Sequence, residues 1–363
     1  MQNIWNKCFP SNRTWARRAA AISVSSVLLL SAAACGTASE TPQNSNGEAG
    51  ASEDFSVGVF PVFVSLPAWV AEDQGMFSKH GLNVTLKTIN TGPTMVSALA
   101  SNSVDAIVNG LTGVETARAG GLPIKMVAVT YPHSIYSMLA SNDVIDGCRE
   151  AGKPYPKPIQ CAKGKRVGIV GGVGTESYTV ALSVLKEAGL TEQDVSMVPI
   201  GGGEAGGGAM EAGQIDIQFA EDTGAAYTTQ VLKVGKDLVN LKTEGVFANW
   251  IGEAMWAMEP NLQKSPAAYE KFAAAIDEAV EWIRDPSNTD ALAATFKKYV
   301  PTLNPGTISA VSKDTAPFFG STSTCSSVQN VTQWLVSTGA LTSSQAPACE
   351  DLLSNPAQVT STP

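Results

Sequence analysis

Glu221 and Asp222 are adjacent acids closing the apolar run at 215–219. Paired carboxylates can move protons, hold a divalent cation or receive an ammonium group. The plainer reading is that Asp222 caps the following helix and Glu221 lies in solvent. The turn Gly-Gly-Val-Gly-Thr at 171–175 joins a strand pattern to a helix pattern. Its glycines let the backbone approach a ligand closely. Free N–H groups at the helix start, with the Thr175 hydroxyl, suit an anionic head group. The same glycines also suit a tight turn with no ligand. No Gly-Lys-Ser/Thr follows, so this is not a P-loop. The run GGGEAGGGAM at 201–210 reads as a floppy lead-in to a helix or as an N–H-rich surface near a ligand. Trp250 and Trp256 in NWIGEAMWAM, with Phe63, Trp69 and Tyr131, offer flat faces to a ring or alkyl group, or simply fill a core. His80 and His133 are the only histidines, too few for a multi-histidine metal centre or a histidine-shuttled triad. No G-x-S-x-G or H-E-x-x-H is present. No catalytic residue, metal or cofactor is expected.

The elements that must position these groups alternate. Strand patterns at 55–60, around 84–89, 104–108 and 124–130 are separated by helix patterns, and the alternation restarts at 166–170, 195–200, 215–219 and 238–241. Strand–helix alternation at this spacing predicts α/β architecture with mostly parallel sheets. In such sheets ligands bind beyond the carboxyl ends of strands. That places the loops 61–66, 90–94, 109–112 and 171–175 at a cleft. None of them carries Arg or Lys, so an anionic ligand would rely on neutral donors and an ammonium group on the acids. The segment 141–165, with two cysteines and three prolines, reads as an exposed excursion where one lobe passes to the next. Ser265-Pro266 opens a helix with Phe272, Ile276, Ala279, Val280 and Ile283 on one face, and the C-terminal third is mainly helical.

The formal net charge is −9, and four of the basic residues fall in the first 18 positions. Without them the chain is more acidic still. Such a surface repels phosphate backbones and argues against nucleic acid as a partner. The basic start, the uncharged stretch 19–34 and the ending Ala-Ala-Ala-Cys read as a signal peptide with lipidation at Cys35. Ala32 departs from the usual lipobox leucine, and ordinary cleavage is the alternative. Residues 35–54 lack any large aliphatic side chain and read as a flexible tether. In an exported chain, Cys148, Cys161, Cys325 and Cys349 are disulfide candidates with three possible pairings; joining sequence neighbours closes the shortest loops. A four-cysteine zinc site lacks any C-x-x-C spacing.

Four stretches together resemble one family. LPAWVAEDQGMFSKHGLNVTL, ALASNSVDAIVNG, KGKRVGIVGGVGTESYTVALSVLKEAGL and EAGQIDIQFAE occur in the order found in solute-binding proteins of bacterial ABC importers. The resemblance is to the nitrate/sulfonate/taurine/thiamine-precursor-binding type and covers roughly residues 55–285. It implies a two-lobed venus-flytrap (type II periplasmic binding protein) with a mostly parallel sheet in each lobe and a helical C-terminal segment. Lobe one would span 55–140 and resume over 246–353; lobe two would span 141–245; 354–363 would be a tail. By position, Phe63, Ser65, Asn109, Thr112, Gly174 and Thr175 fall on loops lining the family's pocket, and Glu221, Asp222 and Trp250 join them as candidates. The implied role is a monomeric lipoprotein on the extracytoplasmic face of the cell membrane. It would pass a small organic solute (a sulfonate, zwitterion or aromatic heterocycle rather than a simple oxyanion) to an ABC permease and its ATPase. A ligand-sensing lipoprotein without transport, and an enzyme of thiamine-precursor synthesis on the same fold, are the alternatives.

Overall fold

The computed structural model describes residues 52–355 and the backbone of 359–360. The signal-peptide stretch, Cys35, most of the tether and most of the tail lie outside the described residues. Ten strands build two five-stranded sheets. In chain order they are β1 (Glu53–Val59), β2 (Leu82–Thr88), β3 (Ala106–Gly110), β4 (Ile124–Tyr131), β5 (Tyr136–Ser141), β6 (Arg166–Val170), β7 (Ser196–Ile200), β8 (Ile217–Glu221), β9 (Gly235–Asn240) and β10 (Glu253–Met258). The first sheet has the order β2-β1-β3-β10-β4 and the second β7-β6-β8-β5-β9.

The two sheets share one design. β1 runs parallel to β2 and β3, while β10 is antiparallel to β3 and β4. β6 runs parallel to β7 and β8, while β5 is antiparallel to β8 and β9. In each sheet the reversed strand is the first one made after the chain crosses from the other sheet. A reversed strand starts at its neighbours' carboxyl edge, so each crossing delivers the chain to the edge where α/β sheets bind ligands. This is the two-lobed α/β arrangement of a type II binding fold.

The first crossing comes earlier than the sequence reading places it. Tyr136–Ser141 lies in the second sheet, paired with β8 and β9, so lobe one does not extend to residue 140. The run from 124 to 140 is apolar on both sides of Pro132 and carries no mark of which sheet each half joins. The two crossings lie side by side: the Gly252 N–H donates to the Tyr131 carbonyl at 3.0 Å. A Cβ on Gly252 would lie 2.4 Å from the His133 carbonyl oxygen, so only glycine fits there.

The 141–165 segment is not an exposed excursion between lobes. It follows β5 within the second lobe, and Pro158, Ile159, Cys161 and Ala162 are buried, since their apolar side chains join the core there. Disulfides join Cys148 to Cys161 and Cys325 to Cys349.

The helix Pro266–Arg284 buries Phe272, Ile276, Ala279, Val280 and Ile283. Phe272 stacks on Phe55 of β1 at 4.9 Å, and each large apolar side chain buried in this way contributes about 1.5–3 kcal/mol. Ser265 occupies the N-cap position, but its side chain makes no capping bond; the proline in the first turn sets the start instead. The later helices reach back to the second lobe. Asn304 N–H and the Thr307 hydroxyl both donate to Glu204 Oε1, at 2.9 and 2.6 Å. Trp334 Nε1–H of the helix Cys325–Ser337 donates to Ser183 Oγ at 2.8 Å.

Candidate functional site

The loops leaving β3 and β6 face one another. β3 ends at Gly110 and feeds the helix Leu111–Ala119; β6 ends at Val170 and feeds, through 171–175, the helix Glu176–Glu187. The Thr112 hydroxyl of the first lobe donates to Glu176 Oε2 of the second at 2.8 Å. Beside this contact lies a cavity of about 260 Å³ whose walls include Thr112, Gly113, Gly174, Thr175, Glu176 and Trp334.

Both reversed strands place their first side chain at this edge. Glu253 opens β10 in register with Gly110 and Tyr131. Tyr136 opens β5 in register with Glu221. A Cβ on Gly110 would sit 3.7 Å from Glu253 Oε1, 3.8 Å from Thr112 Oγ1 and 3.3 Å from the Gly252 carbonyl oxygen. Glu253 and Thr112 thus overhang one glycine, and Thr112 reaches on to Glu176.

The electrostatics of this edge are one-sided. Burial, and then the nearby Glu176 carboxyl, push Glu253 well above the usual carboxylate range. Burial raises Glu176 too, opposed by the Thr112 hydrogen bond. The Tyr136 phenol is pushed up by burial and then by Glu176, Glu253 and Glu221, so it keeps its proton and is a donor. No Lys or Arg is among the groups acting on these three. Glu253 Oε2 is buried with no hydrogen-bond partner, and so is Ser65 Oγ in the loop after β1.

A family model described as NMT1/THI5 like matches residues 63–289. The chain belongs to this family. A search of curated proteins found no match. Among solved structures it is similar to the periplasmic aliphatic sulphonate-binding protein SsuA of Escherichia coli (19% identity, TM-score 0.67), covering 84% of this chain and 98% of that one. It is similar to the periplasmic nitrate-binding protein NrtA of Synechocystis PCC 6803 (13%, TM-score 0.65; 84% and 86% covered). A Candida albicans gene product with the generic periplasmic binding protein fold matches at 12% identity and a TM-score of 0.58, with 85% of this chain and 98% of that one covered.

In this NMT1/THI5-like chain the residues anticipated at the pocket divide into two groups. Thr112, Gly174 and Thr175 line the cavity, and no atom lies within 4 Å of where a Gly174 Cβ would be. Asn109 is buried beside them, with Nδ2 donating to the Gly92 carbonyl at 3.4 Å. Ser65 is fully buried with its hydroxyl unspent. The remaining side-chain groups, the Thr175 hydroxyl included, have internal work. The Thr175 hydroxyl donates within its own loop, to the Val170 and Gly172 carbonyls, and accepts from Tyr178 N–H as the helix cap. Phe63 packs edge-on against Tyr131 and Phe319. Trp250 is built into an aromatic cluster with Phe247 and Trp334, centroids 4.8 and 5.4 Å away, which uses its ring for packing.

Neither acid at 221–222 takes the role expected of it. Glu221 caps, accepting from the N–H groups of Thr223, Gly224 and Gly203. Asp222 is buried, bonded to Lys242 Nζ and accepting from the Tyr131 hydroxyl at 2.8 Å. Burial pushes the Asp222 carboxyl up; Lys242 and Tyr131 oppose that. Asp222 therefore ties the end of β4 to the second lobe. The glycine run is not a loose lead-in. Gly206 and Gly207 lie inside the helix Ala205–Glu211, where a Cβ on Gly206 would come 2.1 Å from Gln218 Nε2 of β8. Absent side chains let that helix lie close on the sheet.

Glu176, Glu253 and Tyr136 were not anticipated at the site. Glu176 directly follows the capping Thr175, where a first-turn acid is ordinary. Glu253 and Tyr136 reach the cleft only because their strands run backwards.

Proposed function

We propose that this chain is the extracytoplasmic solute-binding component of an ABC importer. It captures a small organic solute between its lobes and delivers it to the permease, as a monomer held at the membrane through a lipidated Cys35. The observation that carries this reading is the hydrogen bond between Thr112 and Glu176, which joins two strand-end loops of different lobes beside a cavity. The family match and the likeness to the binding proteins for aliphatic sulphonate and nitrate support it. Ligand binding would favour the closed arrangement of the lobes, which is the form a permease can recognise. No chemical step is assigned, and the role is binding rather than catalysis.

The test is calorimetry on the purified chain lacking its leader. Asn109→Ala and Thr112→Val should each weaken solute binding roughly tenfold, the value of about one hydrogen bond; Asn109→Ala should leave the unliganded melting temperature nearly unchanged, while Thr112→Val should lower it because Glu176 loses its donor. Full affinity in both variants overturns the site. For the anchor, Cys35→Ala should release the protein from the membrane fraction; retention overturns lipidation.

A further inference from the structure

Resting on the binding reading above, the structure assigns the cleft to a ligand carrying a protonated amine or amidine, held between Glu253 of the first lobe and Glu176 of the second. The geometry comes first. Glu253 is 7% exposed, and its Oε2 is buried without a hydrogen-bond partner. The nearest hydroxyl, that of Thr112, shares the space over Gly110 with Glu253 but donates to Glu176 instead. A buried carboxyl left without a donor is costly unless something supplies one. The described protein does not: no lysine or arginine is bonded to Glu253 or Glu176, and Lys242 is committed to Asp222. The missing partner is therefore a donor that arrives with the ligand.

Its sign follows from the surroundings. The groups that press on Glu253 and Tyr136 are carboxyls from both lobes, Glu176 among them. An anion would add to that repulsion, whereas an ammonium group would neutralise it and offer two or three N–H donors at once. Thr112 holds Glu176 Oε2, so a cation on the same carboxyl would bridge the lobes next to the bond that already joins them. Tyr136, beside both carboxyls, is a neutral donor suited to the rest of the solute. The opposite chemistry is a Glu253 that stays protonated and donates to an anion; a glutamine in its place would keep that donor.

The experiment uses the leader-less chain at pH 7 and low salt, with calorimetry and thermal shift. The probes are benzylamine and 4-aminopyridine as cations, taurine as a zwitterion and ethanesulfonate as an anion. Binding of either amine, weakened at least tenfold by both Glu253→Gln and Glu176→Gln, is the expected result. The unliganded Glu253→Gln chain should melt no lower than the parent, since glutamine keeps the size and polarity of the side chain and burial disfavours the charged form it replaces; if it fails to fold, Glu176→Gln decides alone. Taurine counts with the amines if Glu253→Gln abolishes its binding, and with ethanesulfonate if it does not. Ethanesulfonate binding without amine binding, or amine affinity unchanged in both variants, overturns the cation assignment and leaves the solute-binding reading standing. Binding of no probe counts against both.

Discussion

Glu115 is a buried acid with a measurable cost. It lies on the helix Leu111–Ala119, fully buried, with Oε1 accepting from the Thr332 hydroxyl at 2.6 Å and Oε2 without a partner. Burial pushes its carboxyl up to about 7, against the opposing pull of Thr332 and Arg118. In the unfolded chain it titrates in the ordinary carboxylate range. The folded state therefore binds this proton more firmly. The stability it contributes is complete below the ordinary range, falls as pH rises through 7, and is gone above that. The gap corresponds to about 3 kcal/mol. Glu115→Gln keeps an acceptor for Thr332 and removes the titration. Wild type and variant should match near pH 4, and at pH 8 the variant should be more stable by about 1–3 kcal/mol, a melting gap of roughly 5 °C. The assay is urea unfolding of both chains from pH 4 to 8.5. The difference between them isolates Glu115 from the other buried acids. A difference that stays flat with pH, or a variant weaker at pH 8, would refute the reasoning.

Three further outcomes follow from the packing. Lys242→Met leaves Asp222 buried beside Tyr131 without its cation and should cost about 3–5 kcal/mol in chemical denaturation; a loss under about 1 kcal/mol means that Asp222 is not ionised. Gly206→Ala drives a Cβ into Gln218, itself pinned by Thr228 at 2.8 Å, and should cost roughly 1–3 kcal/mol, whereas Gly208→Ala on the same helix meets nothing within 4 Å and should be neutral or stabilising; equal effects would remove the close-packing account. Replacing Cys325 and Cys349 by serine opens a bridge spanning 24 residues and should lower stability by about 3 kcal/mol, with added reductant producing no further loss at this bridge.

The parts of the fold that local pattern controls were legible in the sequence. The apolar run of β3, the turn into the helix Glu176–Glu187 and the apolar face of the helix Pro266–Arg284 all stand where periodicity and turn residues put them. What escaped depends on partners distant in the chain. Tyr136–Ser141 reads the same in either sheet, and its pairing with β8, some 80 residues on, decides the matter. Asp222 looked like a helix cap because Lys242, 20 residues later, is invisible from the local window. The glycines at 206–207 looked loose because flexibility and close packing use the same residue. Glu253 stood between two tryptophans in a stretch read for its aromatics, and its importance comes from strand direction alone.

The pinned pair of crossing segments also sets the mechanics. Two tethers lying against each other, bonded through Gly252 and Tyr131, form one axle rather than two separate struts. That bond extends the β4–β10 ladder by one step, so both tethers leave the first lobe from a single fixed root. Any ligand that favours one arrangement of the lobes shifts the population toward it, and the two strands leaving that root are the places where the backbone must turn.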